Sequence, residues 1–375
     1  MKRMITPAFD PWETYMDIDE TGSMRLSNIE LTTTTLCNMR CEHCAVGYTL
    51  QTKDPIALPL SLLLSKLDEI PELRSLSITG GEPMLSKKSV QNYVLPLLRY
   101  AHERGVYTQM NSNLTIDAER YEHIVPYLDV LHISHNWGTV DEFVEAGFAN
   151  MERKPSYKQR EQLFTRMIEN SRILADAGVM VSAETMLNKR TLPYLEKIHR
   201  QIVTEMKCTR HEVHPMYPSD FASALESLSL DDMRTAIHHL LDVRDPNVWM
   251  LFGTLPFFAC SEDERDRGLV YRLQKEPLVT VRNDPDGRSR LNVNIFSGDI
   301  IVTDFADAPS LGNIQTNSFQ EAYETWTASQ LAKETGCHCP SVRCLGPNIL
   351  VKHAYYQNDD FTKRSAILGR KEVQL

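Results

Sequence analysis

The amino-acid sequence predicts an α/β protein in which a partial (β/α)6 TIM-like barrel precedes a small C-terminal α+β domain. Between residues 28 and 216, strand-like runs alternate with helical runs, which is the pattern of βα units and of a parallel sheet. After about residue 218 this alternation ends, and a β-hairpin pattern, a capped helix and a second group of cysteines follow. We therefore expect one domain at residues 1–247 and another at residues 248–375.

Six strand patterns define the predicted barrel. They lie at residues 29–35, 73–79, 106–110, 129–134, 180–186 and 212–216. Helical patterns separate most of them, at residues 60–70, 87–104, 157–177 and 192–206. Because a closed barrel of this type has about eight strands, we expect this one to remain open.

The second predicted domain contains a hairpin and a capped helix. Residues 291–296 and 300–303, joined by a glycine-containing turn, predict a β-hairpin. Ser318 and Glu321 form a capping-box pattern for a helix. This helix leads directly into the second cysteine group, so we assign that group to the second domain.

Composition limits the classes of function. The chain has 375 residues, of which 42% are hydrophobic and 24% charged, as in ordinary globular proteins. A net charge of −10 argues against a protein that coats nucleic acid. The sequence shows neither an apolar run long enough for a membrane span nor the apolar core of a signal peptide. We expect a cytoplasmic protein with no membrane or nucleic-acid partner.

Six of the eight cysteines form two tight groups. The groups are C-x3-C-x2-C at Cys37, Cys41 and Cys44, and C-x-C-x4-C at Cys337, Cys339 and Cys344. In a reducing cytoplasm such spacing is typical of metal ligation rather than of disulfides. Three cysteines suit either a [4Fe–4S] cluster with one open iron or a zinc ion completed by another ligand such as His43. Spacing alone leaves both readings open.

The first cysteine group and one other loop together resemble the radical S-adenosylmethionine (SAM) superfamily. Its signature, C-x3-C-x-Φ-C with Φ usually aromatic, follows the first strand of a partial barrel, and a G-G-E-P loop ends the second strand. Here the first group follows the first predicted strand, and Gly80-Gly81-Glu82-Pro83 end the second. The resemblance implies a reducible [4Fe–4S] cluster on the first group and SAM bound at its open iron.

The same resemblance implies which residues bind SAM. His43 stands in the Φ position, near the adenine. Gly80 and Gly81 leave room for close backbone approach, and with Glu82 and Pro83 they hold the SAM amino group. Further candidates, from the third, fourth and fifth strands, are Asn111, Ser134 and Glu184.

The polar residues on the later strands have ordinary explanations as well. Strand alternation places Glu184 opposite an aliphatic face, yet an exposed strand end gives the same pattern. Glu212 and His214 share one face of the sixth strand. They are candidates for proton transfer, with a structural histidine as the alternative.

The first cysteine group and the G-G-E-P loop, taken together with the second cysteine group, resemble the radical SAM/CxCxxxxC-motif proteins, the YfkAB type. That group is similar in outline to radical SAM enzymes whose C-terminal extension, SPASM/twitch-like, carries an auxiliary Fe–S cluster. The resemblance implies such a cluster on the second group, with Cys260 as its fourth ligand. Three-cysteine ligation with an open iron, or a structural zinc site, are the alternatives.

The sequence thus predicts an oxidoreductase that cleaves SAM reductively and uses the 5′-deoxyadenosyl radical to abstract hydrogen from a substrate. By analogy the substrate is a peptide or protein side chain, with a small metabolite as the alternative. A flavodoxin or ferredoxin would be the reducing partner. The competing hypothesis is a non-catalytic zinc or Fe–S assembly module. Such a module would not need the loop from Gly80 to Pro83 that binds the amino group of SAM.

Overall fold

The computed structural model describes residues 3–304, 308–361 and 363. One ten-stranded sheet lies at its centre, in the order β10-β9-β1-β2-β3-β4-β5-β6-β7-β8. Its strands are β1 (Asn28–Thr32), β2 (Ser75–Thr79), β3 (Tyr107–Ser112), β4 (Val130–Ser134), β5 (Met180–Leu187), β6 (Arg210–Pro215), β7 (Trp249–Gly253), β8 (Val279–Arg282), β9 (Arg290–Asn294) and β10 (Ile300–Ile301). The α/β class and the partial barrel are confirmed.

Helices connect the strands. They are α1 (Tyr15–Thr21), α2 (Leu60–Asp68), α3 (Lys87–Ser89), α4 (Leu95–Glu103), α5 (Glu119–Glu122), α6 (Val140–Ala146), α7 (Tyr157–Asp176), α8 (Leu195–Arg200), α9 (Leu230–Val243), α10 (Glu264–Lys275), α11 (Phe319–Ala328), α12 (Gln330–Thr335) and α13 (Ile349–Tyr355). The predicted capping box is present at the start of α11, where Ser318 and Glu321 bond reciprocally. No helix among the described residues is both long and apolar enough to span a bilayer.

The sheet extends beyond the six strands that the sequence predicted. Strands β7 and β8 continue it in parallel after β6. The predicted hairpin is formed by β9 and β10, and β9 also pairs in parallel with β1. The sheet therefore runs across residue 248, and the division into domains at that point stays a prediction.

Strand alternation gives the sheet an apolar and a polar face. Leu76 and Ile78 of β2 belong to the main apolar core, whereas Ser75 and Ser77 alternate with them. The polar face carries the charged residues of β5, β6 and β8. Functional groups are thus concentrated on the side of the sheet that faces away from the apolar core.

The N-terminal segment before α1 forms hydrogen bonds with both β2 and β8. Trp12 is almost fully buried, and its indole N–H donates to Ser77 Oγ of β2 at 3.0 Å. Asp10 accepts from Arg282 Nε of β8 at 2.8 Å. The segment before α1 therefore links strands that are distant in the sheet order.

Candidate active site

The first cysteine group lies in the loop after β1, and the loop after β2 is bonded to it along the backbone. Gly81 N donates to Thr34 O at 3.0 Å, and Glu82 N donates to Leu36 O at 2.7 Å. The two sequence motifs, about 40 residues apart, are therefore one structural unit at the carboxyl end of neighbouring parallel strands.

Glycine is required in this unit because the two loops approach so closely. A Cβ on Gly80, whose φ is +137°, would lie 2.3 Å from Thr34 O. A Cβ on Gly81 would lie 2.2 Å from Leu36 O and 3.0 Å from Cys37 Cβ. The glycine pair thus fixes the distance between the cysteine loop and the G-G-E-P loop.

The three cysteines of the first group are half-buried, and their thiols are close enough to affect one another. Burial raises the pKa of Cys37 to about 12, and the charges of Glu82 and Cys44 add to the rise. Burial also raises the pKa of Cys41 well above its usual range, again with help from Cys44 and Cys37. Thiolates in such a place need a cationic centre, so this donor set fits an iron cluster.

Among the described residues, no group of three or more His, Cys, Asp or Glu side chains is placed to hold a single metal ion. In a [4Fe–4S] cluster each thiolate binds a different iron.

The sulfur of Cys37 receives two N–H groups. Met39 N lies 3.4 Å from Cys37 Sγ, and Asn113 Nδ2 lies 3.8 Å from it. Asn113 Nδ2 also donates to Asn38 Oδ1 at 3.0 Å, which ties the loop after β3 to the cysteine loop. Sequence reasoning chose Asn111 from this motif and missed Asn113, although Asn113 is the first residue beyond the strand.

The Glu82 side chain is turned into the protein. It is fully buried, and its carboxylate accepts from Ser112 Oγ at 3.0 Å, Asn113 N at 2.8 Å and Met84 N at 3.1 Å. Burial raises the pKa of Glu82 to about 7, although these hydrogen bonds oppose the rise. Its carboxylate therefore holds the loop after β3, while its backbone holds the cysteine loop.

His43 lies at the end of the cysteine loop against the loop after β4. Asn136 Nδ2 donates to His43 Nε2 at 3.3 Å, and the ring centroids of His43 and Trp137 are 5.9 Å apart. Burial lowers the pKa of His43 to about 4, so the ring is neutral at pH 7. Asn136 Oδ1 accepts from Met186 N at 2.6 Å, which joins this loop to β5.

The other predicted SAM ligands lie on β3, β4 and β5. Asn111 is opposite His132 in register, and Ser134 is opposite Glu184. Glu184 Oε2 lies 2.7 Å from His132 Nε2. Burial favours a raised pKa for Glu184, but the bond from His132 and the charge of His214 outweigh it and lower that pKa.

Glu212 is the centre of a buried ionic cluster that sequence reasoning found only in part. Its carboxylate contacts Arg282 Nη1 at 2.6 Å, His214 Nε2 at 2.9 Å and Arg210 Nη2 at 3.4 Å. Although burial alone would raise its pKa, the charges of Arg282 and Arg210 hold it well below the usual range. Glu212 is thus ionised, and strand alternation on β6 was the one sequence signal for it.

His214 fits into a space shaped for it. A Cβ on Gly253 would lie 2.1 Å from the His214 ring, so β7 needs glycine opposite β6 at this point. The next residue, Thr254, has a φ of +51°, and its Oγ1 lies 2.8 Å from His214 Nδ1. Since ionised Glu212 accepts the Nε2 proton, Nδ1 of the neutral ring accepts from the Thr254 hydroxyl.

The second cysteine group lies near Cys260. Cys339 N donates to Cys344 O at 2.8 Å, which closes the loop between them. Burial raises the pKa of Cys337 to about 12 and that of Cys344 to about 11, and the charge of Cys260 contributes to both. The structure therefore brings Cys260 together with the second group, while Cys208 lies in the main core beside Ser171.

A cavity of about 490 Å³ adjoins this second group. Cys344, Thr254 and all of β8 line it, together with the N-terminal segment and α10. It shares Thr254 with the ionic cluster around His214.

Comparison with known proteins identifies the family. Residues 31–202 match the profile of the radical SAM superfamily, and residues 216–366 match that of the YfkB-like domain. The chain is 74% identical to YfkA of Bacillus subtilis (strain 168) over 364 residues, which cover 97% of this chain and 98% of YfkA.

Two solved structures share the fold. Streptococcus suis SuiB bound to S-adenosylmethionine superposes with a TM-score of 0.59 at 14% identity, covering 90% of this chain and 76% of SuiB. Native anSMEcpe with bound AdoMet and Cp18Cys peptide superposes with a TM-score of 0.58 at 15% identity, covering 92% and 95%. The profile matches and the identity to YfkA show that the chain belongs to the radical SAM superfamily and, within it, to the YfkAB-type proteins.

Proposed function

We propose that this radical SAM enzyme acts on a peptide or protein side chain and carries a second Fe–S cluster on its C-terminal cysteines. When bound, the [4Fe–4S] cluster and SAM supply reductive cleavage of SAM to methionine and a 5′-deoxyadenosyl radical. A one-electron donor of the flavodoxin or ferredoxin type would reduce the enzyme in the cytoplasm. The remaining steps depend on what the chain's own residues bind and orient.

The first group, Cys37, Cys41 and Cys44, would hold the SAM-binding cluster. Support comes from the effect of their thiols on one another's pKa and from the close approach of Gly80 and Gly81 to their loop. The backbone of Gly80 to Pro83 would bind the SAM amino group, since the carboxylate of Glu82 is already occupied by protein donors.

The adenosyl part of SAM would lie along β3, β4 and β5. His43 is buried beside the loop after β4, and the charge of Glu184 reaches it. Asn111, Ser134 and Glu184 are each partly exposed on the polar face of these strands. We assign these four side chains to SAM, with neutral His43 placed for contact with the base.

The second group would hold an auxiliary Fe–S cluster with four cysteine ligands. Cys337 and Cys339 are buried in one small apolar cluster with Phe258 and Tyr356, and the partly buried Cys260 and Cys344 pack against it. Four soft sulfur donors suit an Fe–S cluster. A structural zinc ion would use the same donors, so metal analysis must separate the two.

A peptide substrate is supported by the fold relatives. One of them is SuiB bound to the precursor peptide SuiA, and another is anSMEcpe with the Cp18Cys peptide. Both superpose on most of this chain at low identity, so they support the substrate class by fold analogy.

The bonded unit of the cysteine loop and the G-G-E-P loop carries the proposal. The test is anaerobic reconstitution with iron and sulfide, followed by addition of SAM and dithionite. We expect 5′-deoxyadenosine from the wild type and none from Cys41→Ala, with Cys208→Ala as a matched buried-thiol control. A colourless, zinc-loaded protein that never cleaves SAM would contradict the proposal.

The second cluster is tested by iron content. We expect Cys337→Ala, combined with Cys260→Ala, to lower the bound iron by about half relative to Cys208→Ala, since one of two clusters is lost. Formation of 5′-deoxyadenosine in the absence of substrate should persist in this variant. Unchanged iron in this variant would remove the auxiliary cluster from the proposal. Zinc bound at the second group of the wild type would do the same.

A further inference from the structure

Strand β8 is the last strand of the sheet on one side. It pairs with β7 in parallel from Val279 to Arg282. Among the described residues, Thr280, Val281 and Arg282 form no other backbone–backbone hydrogen bond. One edge of β8 therefore offers backbone N–H and C=O groups with no strand beside them.

The cavity of about 490 Å³ follows this free edge. All four residues of β8 line it. Because neighbouring strand residues point to opposite faces, a cavity that touches all four runs along the strand rather than over one face. Val281 is 45% exposed, an unusual state for a valine in a strand.

Much of the cavity lining is apolar. It includes Leu255, Phe257, Val270, Leu273 and Val342. The charged groups in the lining are already used within the protein. Arg282 is paired with Asp10, and Glu13 accepts from both nitrogens of Asn283.

We propose that an extended peptide segment binds in this cavity by adding to the free edge of β8. A ligand with its own backbone N–H and C=O groups would satisfy the edge, and its alternate side chains would enter the apolar wall. A strand of four residues and a cavity of this size suit a segment of about three to five residues with at least one apolar side chain. This inference rests on the proposed peptide substrate and specifies where that peptide lies.

The cavity lies beside the second cysteine group and beside the ionic cluster around His214. Cys344 of the second cysteine group and Thr254 line the same cavity. Thr254 is bonded to His214, which extends from the ionic cluster on the polar face of the sheet. The first cysteine group follows the carboxyl end of β1 and Cys260 follows that of β7, and the carboxyl end of β8 lies at the same edge of the parallel sheet. A peptide on β8 is therefore directed toward the reactive side of the barrel.

The experiment uses reconstituted wild-type enzyme and a phage-displayed library of random heptapeptides under anaerobic conditions. The strongest peptide is synthesised with a fluorophore and titrated by fluorescence polarisation. We expect Val281→Lys to weaken binding by about tenfold or more, because a charge on the edge opposes strand addition. Ile173→Lys, which changes another exposed apolar residue on α7, should bind as the wild type does.

Backbone methylation of the peptide tests the mode of binding. Methyl groups on alternate peptide nitrogens should weaken binding by about tenfold, and those on the intervening nitrogens should have little effect. No enriched peptide, equal binding by Val281→Lys, or no alternation along the peptide would overturn the inference. Formation of 5′-deoxyadenosine in the same samples separates this result from the proposed function: SAM cleavage without the binding pattern removes only the peptide site.

Discussion

The carboxylate of Glu82 is enclosed by donors from its own turn and from the loop after β3. In Glu82→Gln an amide N–H₂ would face some of those donors, so at least one buried donor loses its partner. We expect the free energy of unfolding of the apo-protein to fall by about 1–3 kcal/mol. Urea denaturation under anaerobic conditions measures it.

Glu103→Gln is the control for this change, because Glu103 is exposed at the end of α4. It should leave the free energy of unfolding unchanged. Equal stability of Glu82→Gln and the wild type would show that the buried hydrogen bonds of Glu82 do not hold the two loops together.

His214 gives a prediction about pH. Burial lowers its pKa, but the bond to Glu212 and the charges of Glu184 and Glu212 outweigh burial and raise that pKa above 6.5. A histidine with a raised pKa in the folded state contributes stability that is fully present below the unfolded pKa and is lost as pH rises through the folded one. The stability difference between wild type and His214→Gln should therefore be larger at pH 6 than at pH 9.

Urea denaturation of both proteins at the two pH values checks this difference. The charged groups facing His214 are Glu184, Glu212 and Arg282. His239→Gln serves as the comparison, since it alters a histidine on α9 outside this cluster. A difference that does not change with pH would mean that His214 is not ionised by the cluster.

The close approach of Gly80 and Gly81 to the cysteine loop gives a prediction at the scale of an element. In Gly81→Ala the new Cβ would overlap Leu36 O, so the loop after β2 must move away from the cysteine loop. We expect iron content after reconstitution to fall by about half, since the second cluster is kept, and 5′-deoxyadenosine formation to fall by about tenfold or more. Iron analysis and chromatography of the nucleoside measure the two effects.

Gly268→Ala is the matched control for the glycine change. Gly268 lies in α10, and a Cβ there would meet no atom within 4 Å. This variant should keep full iron content and be slightly more stable, because alanine favours helix over glycine. Normal SAM cleavage by Gly81→Ala would refute the role of close loop approach.

At the same scale, local patterns predicted some elements and could not predict others. Strands β1 to β6 were predictable because apolar residues alternate or cluster between helical patterns. Strand β7 was missed because all five residues, Trp249 to Gly253, are buried, and a short buried run has no diagnostic period. The parallel pairing of β9 with β1 joins segments about 260 residues apart, and no local signal encodes such a partner.

The candidate site divides in the same way at the scale of the whole molecule. Cys37 and Gly81 were found because their motifs are contiguous in sequence. Arg282 was not found, since its role depends on side-chain bonds to Asp10, 272 residues away, and to Glu212, 70 residues away. Contacts of this kind arise only when the N-terminal segment crosses from β2 to β8.

Arg282 therefore provides the prediction for the whole molecule. It is largely buried between Asp10 of the N-terminal segment and Glu212 of the ionic cluster. Arg282→Met would leave both carboxylates in the interior without this cation, and breaking such a buried pair costs about 3–5 kcal/mol. We expect a corresponding fall in the free energy of unfolding, measured by urea denaturation.

A second substitution distinguishes lost pairing from simple loss of packing. If the cost comes from an uncompensated carboxylate, Asp10→Asn should restore part of the stability when added to Arg282→Met, because it removes one of the stranded charges. Arg265→Met, which breaks an exposed pair with Asp263, should change stability little. If Asp10→Asn only adds to the loss, the N-terminal segment is held by packing around Trp12, and the ion pair does not join it to the barrel.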